Sequence, residues 1–102
     1  MDYLDEARLA LEKTHNVCAK HLDTIGVKKI FNGTLAWAGD VEVFEVTGHP
    51  KAEHAYVWGY PNNKRSGEYD FVAILGIPPI TSASIAVQAA IAAEARRKIF
   101  GS

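Results

Sequence analysis

The first quarter of the chain has apolar residues spaced for one face of a helix. They recur at steps of three, four or seven residues, namely Leu4, Ala7, Leu11, Cys18, Leu22 and Ile25. Such steps follow the 3.6-residue period of an α-helix. Acidic residues Asp2, Asp5 and Glu6 precede or begin this stripe, where the helix dipole favours negative charge, and Gly26 suits a helix end. The pattern predicts a helix over about residues 2–24.

Residues 27–77 have a different pattern, with short runs rich in β-branched and aromatic residues. Asn32-Gly33, Gly48-His49-Pro50-Lys51 and the polar stretch 61–67 interrupt these runs. Asn32-Gly33 suits a two-residue hairpin turn because both positions tolerate positive φ. The runs predict strands at about residues 27–31, 34–38, 41–47, 54–60 and 69–77.

The last part of the chain predicts a second helix, at about residues 82–100. Pro78-Pro79 ends the strands, Thr81 or Ser82 can cap the helix, and alanine dominates residues 83–95. We therefore expect a single α+β domain over residues 1–102. It is expected to have two layers, with an antiparallel sheet of three to five strands and the N-terminal and C-terminal helices packed on it.

The composition and net charge of the chain argue against some classes of function. The chain has 102 residues, 48% of them hydrophobic and 23% charged, and a formal net charge of −1. This charge gives no global field that would attract nucleic acid or an anionic membrane. The single cysteine, Cys18, fits a reducing compartment, and the longest apolar stretch, 83–93, is too short to span a bilayer. We therefore expect a cytoplasmic protein without membrane contact.

The aromatic run 54–60 is the most informative stretch for function. Strand residues two apart share a face, so His54, Tyr56, Trp58 and Tyr60 point one way and Ala55, Val57 and Gly59 the other. If the helices cover the aromatic face, the rings form the core. If they cover the other face, the rings form an open platform for a flat ligand, a nucleobase or a second subunit. The pattern leaves both alternatives open. The candidate ligand or interface residues are Trp37, His49, His54, Tyr56, Trp58 and Tyr60.

Two histidine-containing stretches are candidates for chemical sites. On the predicted first helix, His15, Cys18 and His21 are spaced so that adjacent pairs could share a metal ion. No fourth ligand is evident, so a buried structural Cys18 is favoured and no metal or other cofactor is expected. In the segment 49–54, His49, Glu53 and His54 leave acid–base chemistry open. A turn at a strand entrance is the favoured interpretation, and no catalytic residue is assigned.

Two resemblances rest on particular residues. The strings Trp37-Ala38-Gly39-Asp40-Val41-Glu42-Val43-Phe44 and Gly48-His49-Pro50-Lys51-Ala52 resemble a group of small uncharacterised bacterial proteins. That resemblance implies a bacterial, cytosolic origin. It does not indicate any particular activity. The predicted element order also resembles the double-stranded-RNA-binding fold. That family places a lysine cluster at the start of its second helix, whereas residues 80–84 here contain no lysine.

These observations favour a non-enzymatic binding or interaction module that associates with itself as a homodimer. The alternative is a small-molecule or enzymatic site lined by Trp37, Tyr56, Trp58 and the turn 48–54. Nucleic-acid binding is the third and least favoured hypothesis.

Overall fold

The computed structural model describes residues 2–61 and 69–100. Its elements follow in the order α1 (Tyr3–His15), β1 (Cys18–Phe31), β2 (Thr34–Thr47), β3 (His54–Pro61), β4 (Tyr69–Leu75) and α2 (Ala83–Phe100). The four strands form one antiparallel sheet in sequence order. The α+β class, the antiparallel sheet and the two terminal helices are therefore as predicted. Most of the expected loop 61–67 lies outside the described residues.

The first helix is much shorter than predicted. Asp2 caps its start by accepting a hydrogen bond from the Asp5 N–H at 2.8 Å. It ends at His15, because Asn16 adopts the left-handed conformation with φ of 54°. The predicted helix over 2–24 is wrong from residue 16 onward, since residues 18–24 pair with β2. Backbone pairing with a neighbouring strand outweighed the helix-like spacing of apolar residues.

The hairpin predicted at Asn32-Gly33 is confirmed. Both residues have positive φ, 52° and 76°, as a two-residue turn of this kind requires. The flanking strands are longer than expected, because β1 begins at Cys18 and the predicted strands 34–38 and 41–47 form one continuous β2. Register shifts interrupt β1 between His21 and Asp23 and between Lys29 and Ile30.

The two helices cover opposite faces of the sheet. On one face, α2 contributes Ala83, Ala86 and Val87 to a cluster that contains Tyr56 and Trp58. On the other face, α1 contributes Ala7 and Leu11 to a second cluster, which contains Phe44, Val46, Ala55 and Val57. The domain therefore has three layers, helix, sheet and helix, where two were expected. Because β3 is apolar on both of its faces, each face needs a helix to exclude water.

Pairing between β2 and β3 covers only one end of the sheet. It joins Glu42–Glu45 of β2 to His54–Val57 of β3. Beyond this point β1 and β2 continue together as a hairpin that has left β3, and we call its residues 25–41 the arm. At the other side of the sheet, β4 pairs with β3 from Ala55 to Pro61. In the arm, the outer edge of β1 pairs with no other described strand, and β2 is no longer paired with β3.

The second helix begins close to its predicted position. The Ser82 hydroxyl accepts a hydrogen bond from the Ile85 N–H at 3.2 Å, so Ser82 acts as the cap. The preceding strand ends at Leu75, two residues before the predicted 77. Just beyond it, the Gly76 N–H donates a hydrogen bond to the His54 carbonyl of β3 at 2.7 Å.

Candidate functional site

The aromatic face of β3 is the face that α2 covers. Tyr56 and Trp58 are only 7% and 4% exposed and lie in the cluster with Ala83, Ala86 and Val87. Small residues on the helix allow these large rings to approach it closely. The sequence left open whether the aromatic rings form the core or an open platform. The rings of Tyr56 and Trp58 belong to the core. Tyr60, at the end of the same row, remains 48% exposed.

A groove lies between α2 and the sheet, where β2 and β3 separate. Its volume is about 540 Å³, and its walls include Trp37, Trp58, Tyr60, Val72, Ala90 and Ile91. The rings of Trp37 and Trp58 are 5.8 Å apart and inclined by 58°. The volume falls in the general range of small-molecule sites, and its walls are mainly apolar and aromatic. This groove brings together three of the predicted residues, Trp37, Trp58 and Tyr60.

Tyr56 does not line this groove. Its ring lies beside the backbone of Gly76, where an added Cβ atom would be 3.3 Å from the ring. Burial raises the pKa of the Tyr56 phenol, because the charged phenolate is disfavoured away from water. Tyr56 is therefore a core residue, although the sequence grouped it with the candidate ligand residues.

The turn at residues 48–53 forms a separate cleft of about 360 Å³, with His49, Lys51, His54 and Gly76 among its walls. His49 Nδ1 accepts two backbone hydrogen bonds, from Lys51 N–H at 3.0 Å and Ala52 N–H at 3.1 Å. These bonds fix the turn and place the ring proton of neutral His49 on Nε2. His49 thus has a structural role at the strand entrance, as the sequence favoured. This cleft is separate from the groove, so Trp37 and Trp58 do not line one pocket together with the turn 48–54.

His15, Cys18 and His21 do not form a metal site. The helix ends at His15, whose Nε2 lies 2.9 Å from the Ala73 carbonyl oxygen of β4. Cys18 is exposed at the start of β1, and His21 is directed to Glu42. The helical spacing that suggested shared ligands is therefore absent. Among the described residues, no group of three or more His, Cys, Asp or Glu side chains could hold a metal ion.

A polar cluster that was not predicted from the sequence surrounds Glu42. This residue is 4% exposed, and its Oε1 atom lies 2.9 Å from His21 Nε2. The Thr24 hydroxyl donates to the same Oε1 atom and lies 3.5 Å from His21 Nε2. A catalytic triad needs the two imidazole nitrogens to contact different partners, whereas Nε2 alone contacts both groups here. A charged residue between Val41 and Val43 in an apolar strand was the only sequence signal.

The polar groups of this cluster satisfy one another. Among the described residues, no buried side-chain nitrogen or oxygen lacks a hydrogen-bond partner. Glu42 therefore serves to join β1 to β2 beside the register shift at His21. The described helices include none that is long and apolar enough to cross a membrane.

Comparison with known proteins adds no assignment to this geometry. No family model matches the chain, and no curated protein or solved structure is significantly similar to it.

Proposed function

We propose that this chain is a non-enzymatic interaction module that forms a homodimer through its arm. The observation that carries the proposal is the exposure of Ile30 and Leu35, which face each other across β1 and β2. These side chains are 64% and 54% exposed. The arm therefore presents apolar surface that the helices of its own chain do not cover.

The position of these residues matters more than their number. Single exposed apolar side chains are ordinary on protein surfaces. Directly opposed residues on neighbouring strands, however, have Cβ atoms about 4.5–5.5 Å apart, so Ile30 and Leu35 form one continuous patch. Leu22 and Ile25 add further exposed apolar surface along β1. Exposed apolar side chains of this kind along one strand pair suit a protein–protein contact.

The free edge of β1 supports the same proposal. A strand at the edge of a sheet presents unpaired backbone N–H and C=O groups that can pair with another chain. β1 is 14 residues long and lies at one edge, whereas the seven-residue β4 lies at the other. Side chains engage part of both edges, because His15 contacts the Ala73 carbonyl of β4 and Glu12 accepts a hydrogen bond from the Ala19 N–H of β1. β1 is the longer strand, so it is the better edge for association.

The proposed setting is the bacterial cytoplasm. The single cysteine of the chain is exposed at Cys18, which suits a compartment that keeps thiols reduced. The resemblance of residues 37–44 and 48–52 to small bacterial proteins supports the bacterial origin.

The proposal is tested by measuring the mass of the protein in solution. Sedimentation velocity from roughly 1 to 100 µM, the range of ordinary specific affinities, should show a species of twice the 11.1 kDa chain mass. The double variant Ile30→Thr/Leu35→Thr keeps β-forming residues and removes the apolar patch, so it should dissociate more readily. Leu9→Gln, on the exposed side of α1, is the matched control and should leave the dimer unchanged. A monomer throughout this range would overturn the proposal.

A second candidate function is binding of a flat, mainly apolar small molecule in the groove. The groove beside Trp37 and Trp58 favours it, because two indole rings form part of the wall. Binding of such a compound should change tryptophan fluorescence. Ala93 is exposed and lines the groove, so Ala93→Phe should fill the groove and remove the response. The neighbouring Ala92→Phe should retain it, and an equal response from both variants would place the binding site elsewhere.

A further inference from the structure

The free edge of β1 has a charge pattern that is complementary to itself about Gly26. Asp23 lies three residues before Gly26, and Lys29 lies three residues after it. When two identical strands pair antiparallel about a two-fold axis, each residue before the axis faces the equivalent residue after it. An axis at Gly26 therefore places Asp23 of each copy opposite Lys29 of the partner subunit.

We infer that two copies of this chain join antiparallel along β1 with Gly26 on the two-fold axis, which makes one continuous eight-stranded sheet. This inference rests on the proposed self-association and names its surface and register. The partner is a second copy of the chain, because two antiparallel copies of β1 bring Asp23 of each copy opposite Lys29 of the other.

The hydrogen bonds of β1 agree with this register. The Thr24 N–H is bonded to Asp23 Oδ1 at 2.8 Å, which places this N–H on the free side of the strand. Backbone groups two residues apart point to the same side of a strand, so those of Gly26 and Lys28 share this side. With Gly26 on the axis, the two Gly26 residues exchange hydrogen bonds. The Lys28 N–H of each copy then donates to the Thr24 carbonyl of the partner subunit, while the Thr24 N–H keeps its bond to Asp23.

Neighbouring registers are less favourable. An axis at Thr24 would place Asp23 opposite Ile25 of the partner subunit, so it would not pair Asp23 with a lysine. An axis at Ile25 would place Asp23 opposite Val27 of the partner subunit. The axis at Gly26 forms two pairs of opposite charge, Asp23 of each copy with Lys29 of the partner subunit. Glycine has no side chain, so the two backbones can approach closely at the centre.

Charge reversal tests this register. Asp23→Lys and Lys29→Asp each replace two attractive pairs by two repulsive ones, so each should raise the dimer dissociation constant by roughly tenfold or more. The double variant Asp23→Lys/Lys29→Asp restores opposite charges across the axis and should recover the dimer. Lys51→Asp, an exposed change in the turn 48–53, is the control and should have no effect.

The outcomes separate this inference from the proposed function. A monomeric wild-type protein would overturn both. A wild-type dimer with unaffected single variants, or with no recovery in the double variant, would overturn the register and leave self-association standing. Amide hydrogen exchange of the wild-type protein supplies a test that needs no variant. Exchange at Gly26 and Lys28 should slow as the protein concentration rises through the dissociation constant, and exchange that stays the same would overturn the inference.

Discussion

The hydroxyl of Tyr3 accepts a hydrogen bond from the backbone N–H of Gly59 at 2.8 Å. This contact joins the first turn of α1 to β3 at a point where β3 has already left β2. The Tyr3 ring also packs edge-on against Tyr69, with ring centres 5.2 Å apart. A Cβ atom at Gly59 would lie 3.0 Å from the Tyr3 ring and 2.9 Å from Phe71, so this approach requires glycine. Tyr3 thus takes the place of a strand partner.

Removing the Tyr3 hydroxyl should therefore destabilise the fold. Tyr3→Phe keeps the ring contacts but leaves the Gly59 N–H without its acceptor, which costs about 1–2 kcal/mol of the free energy of unfolding. Urea denaturation followed by circular dichroism measures this change. Tyr60→Phe, at an exposed ring, should stay within about 0.5 kcal/mol of the wild type. Equal midpoints for the two variants would show that the hydrogen bond does not stabilise the protein.

Stability should fall at alkaline pH because of two tyrosines. Burial raises the pKa of Tyr56, and it raises that of Tyr3 against the opposing effect of the Gly59 N–H. The folded state therefore holds these protons more tightly than the unfolded state, whose phenols titrate near 10. Their contribution is complete below that pH and is lost as the pH rises through the higher folded values.

Urea midpoints measured at increasing alkaline pH test this expectation. The midpoint should decrease above about pH 10, and Tyr56→Phe should decrease less steeply because it has no phenol to ionise. Tyr60→Phe is again the matched control. A Tyr56→Phe profile parallel to that of the wild type would contradict the assigned cause.

His49 should be replaceable by asparagine but not by alanine. His49→Ala removes the acceptor for two backbone N–H groups and should cost about 1–3 kcal/mol of unfolding free energy. Asparagine carries an oxygen at the position of Nδ1 and forms the same kind of turn, so His49→Asn should retain most of the stability. His54→Ala, at an exposed residue of the same cleft, should be nearly neutral. Thermal denaturation of the three variants gives the comparison.

Glu42 should matter through its hydrogen bonds. Glu42→Ala leaves His21 and Thr24 without their shared acceptor and should cost about 2 kcal/mol of unfolding free energy. Glu42→Gln keeps an acceptor oxygen and should cost about half as much or less. Chemical denaturation at neutral pH measures both values. If both variants lose the same unfolding free energy, then the charge of Glu42 stabilises its contact with His21, and the hydrogen-bond geometry does not.

Local sequence determined several features correctly, because each depends on residues close together in the chain. Asn32-Gly33 forms the expected turn, since its positive φ values are a property of those two residues. Ser82, one of the two predicted caps, caps α2 by accepting a hydrogen bond from the Ile85 N–H. The alternation in the run 54–60 also predicted which side chains share a face of β3.

Only the tertiary structure decided the conformation of residues 18–24 and the cover of each sheet face. Cys18, Leu22 and Ile25 have helical spacing, yet this segment pairs with β2, and long-range strand pairing outweighs weak local preferences. Both faces of β3 are apolar, so alternation could not indicate which helix would cover which face. The Glu42 cluster likewise joins residues 18 and 21 positions apart in the chain. Sequence thus set the turns, the helix caps and the alternation. The packing of α1 and α2 on opposite faces buried Tyr56 and Trp58 and left Ile30 and Leu35 of the arm exposed.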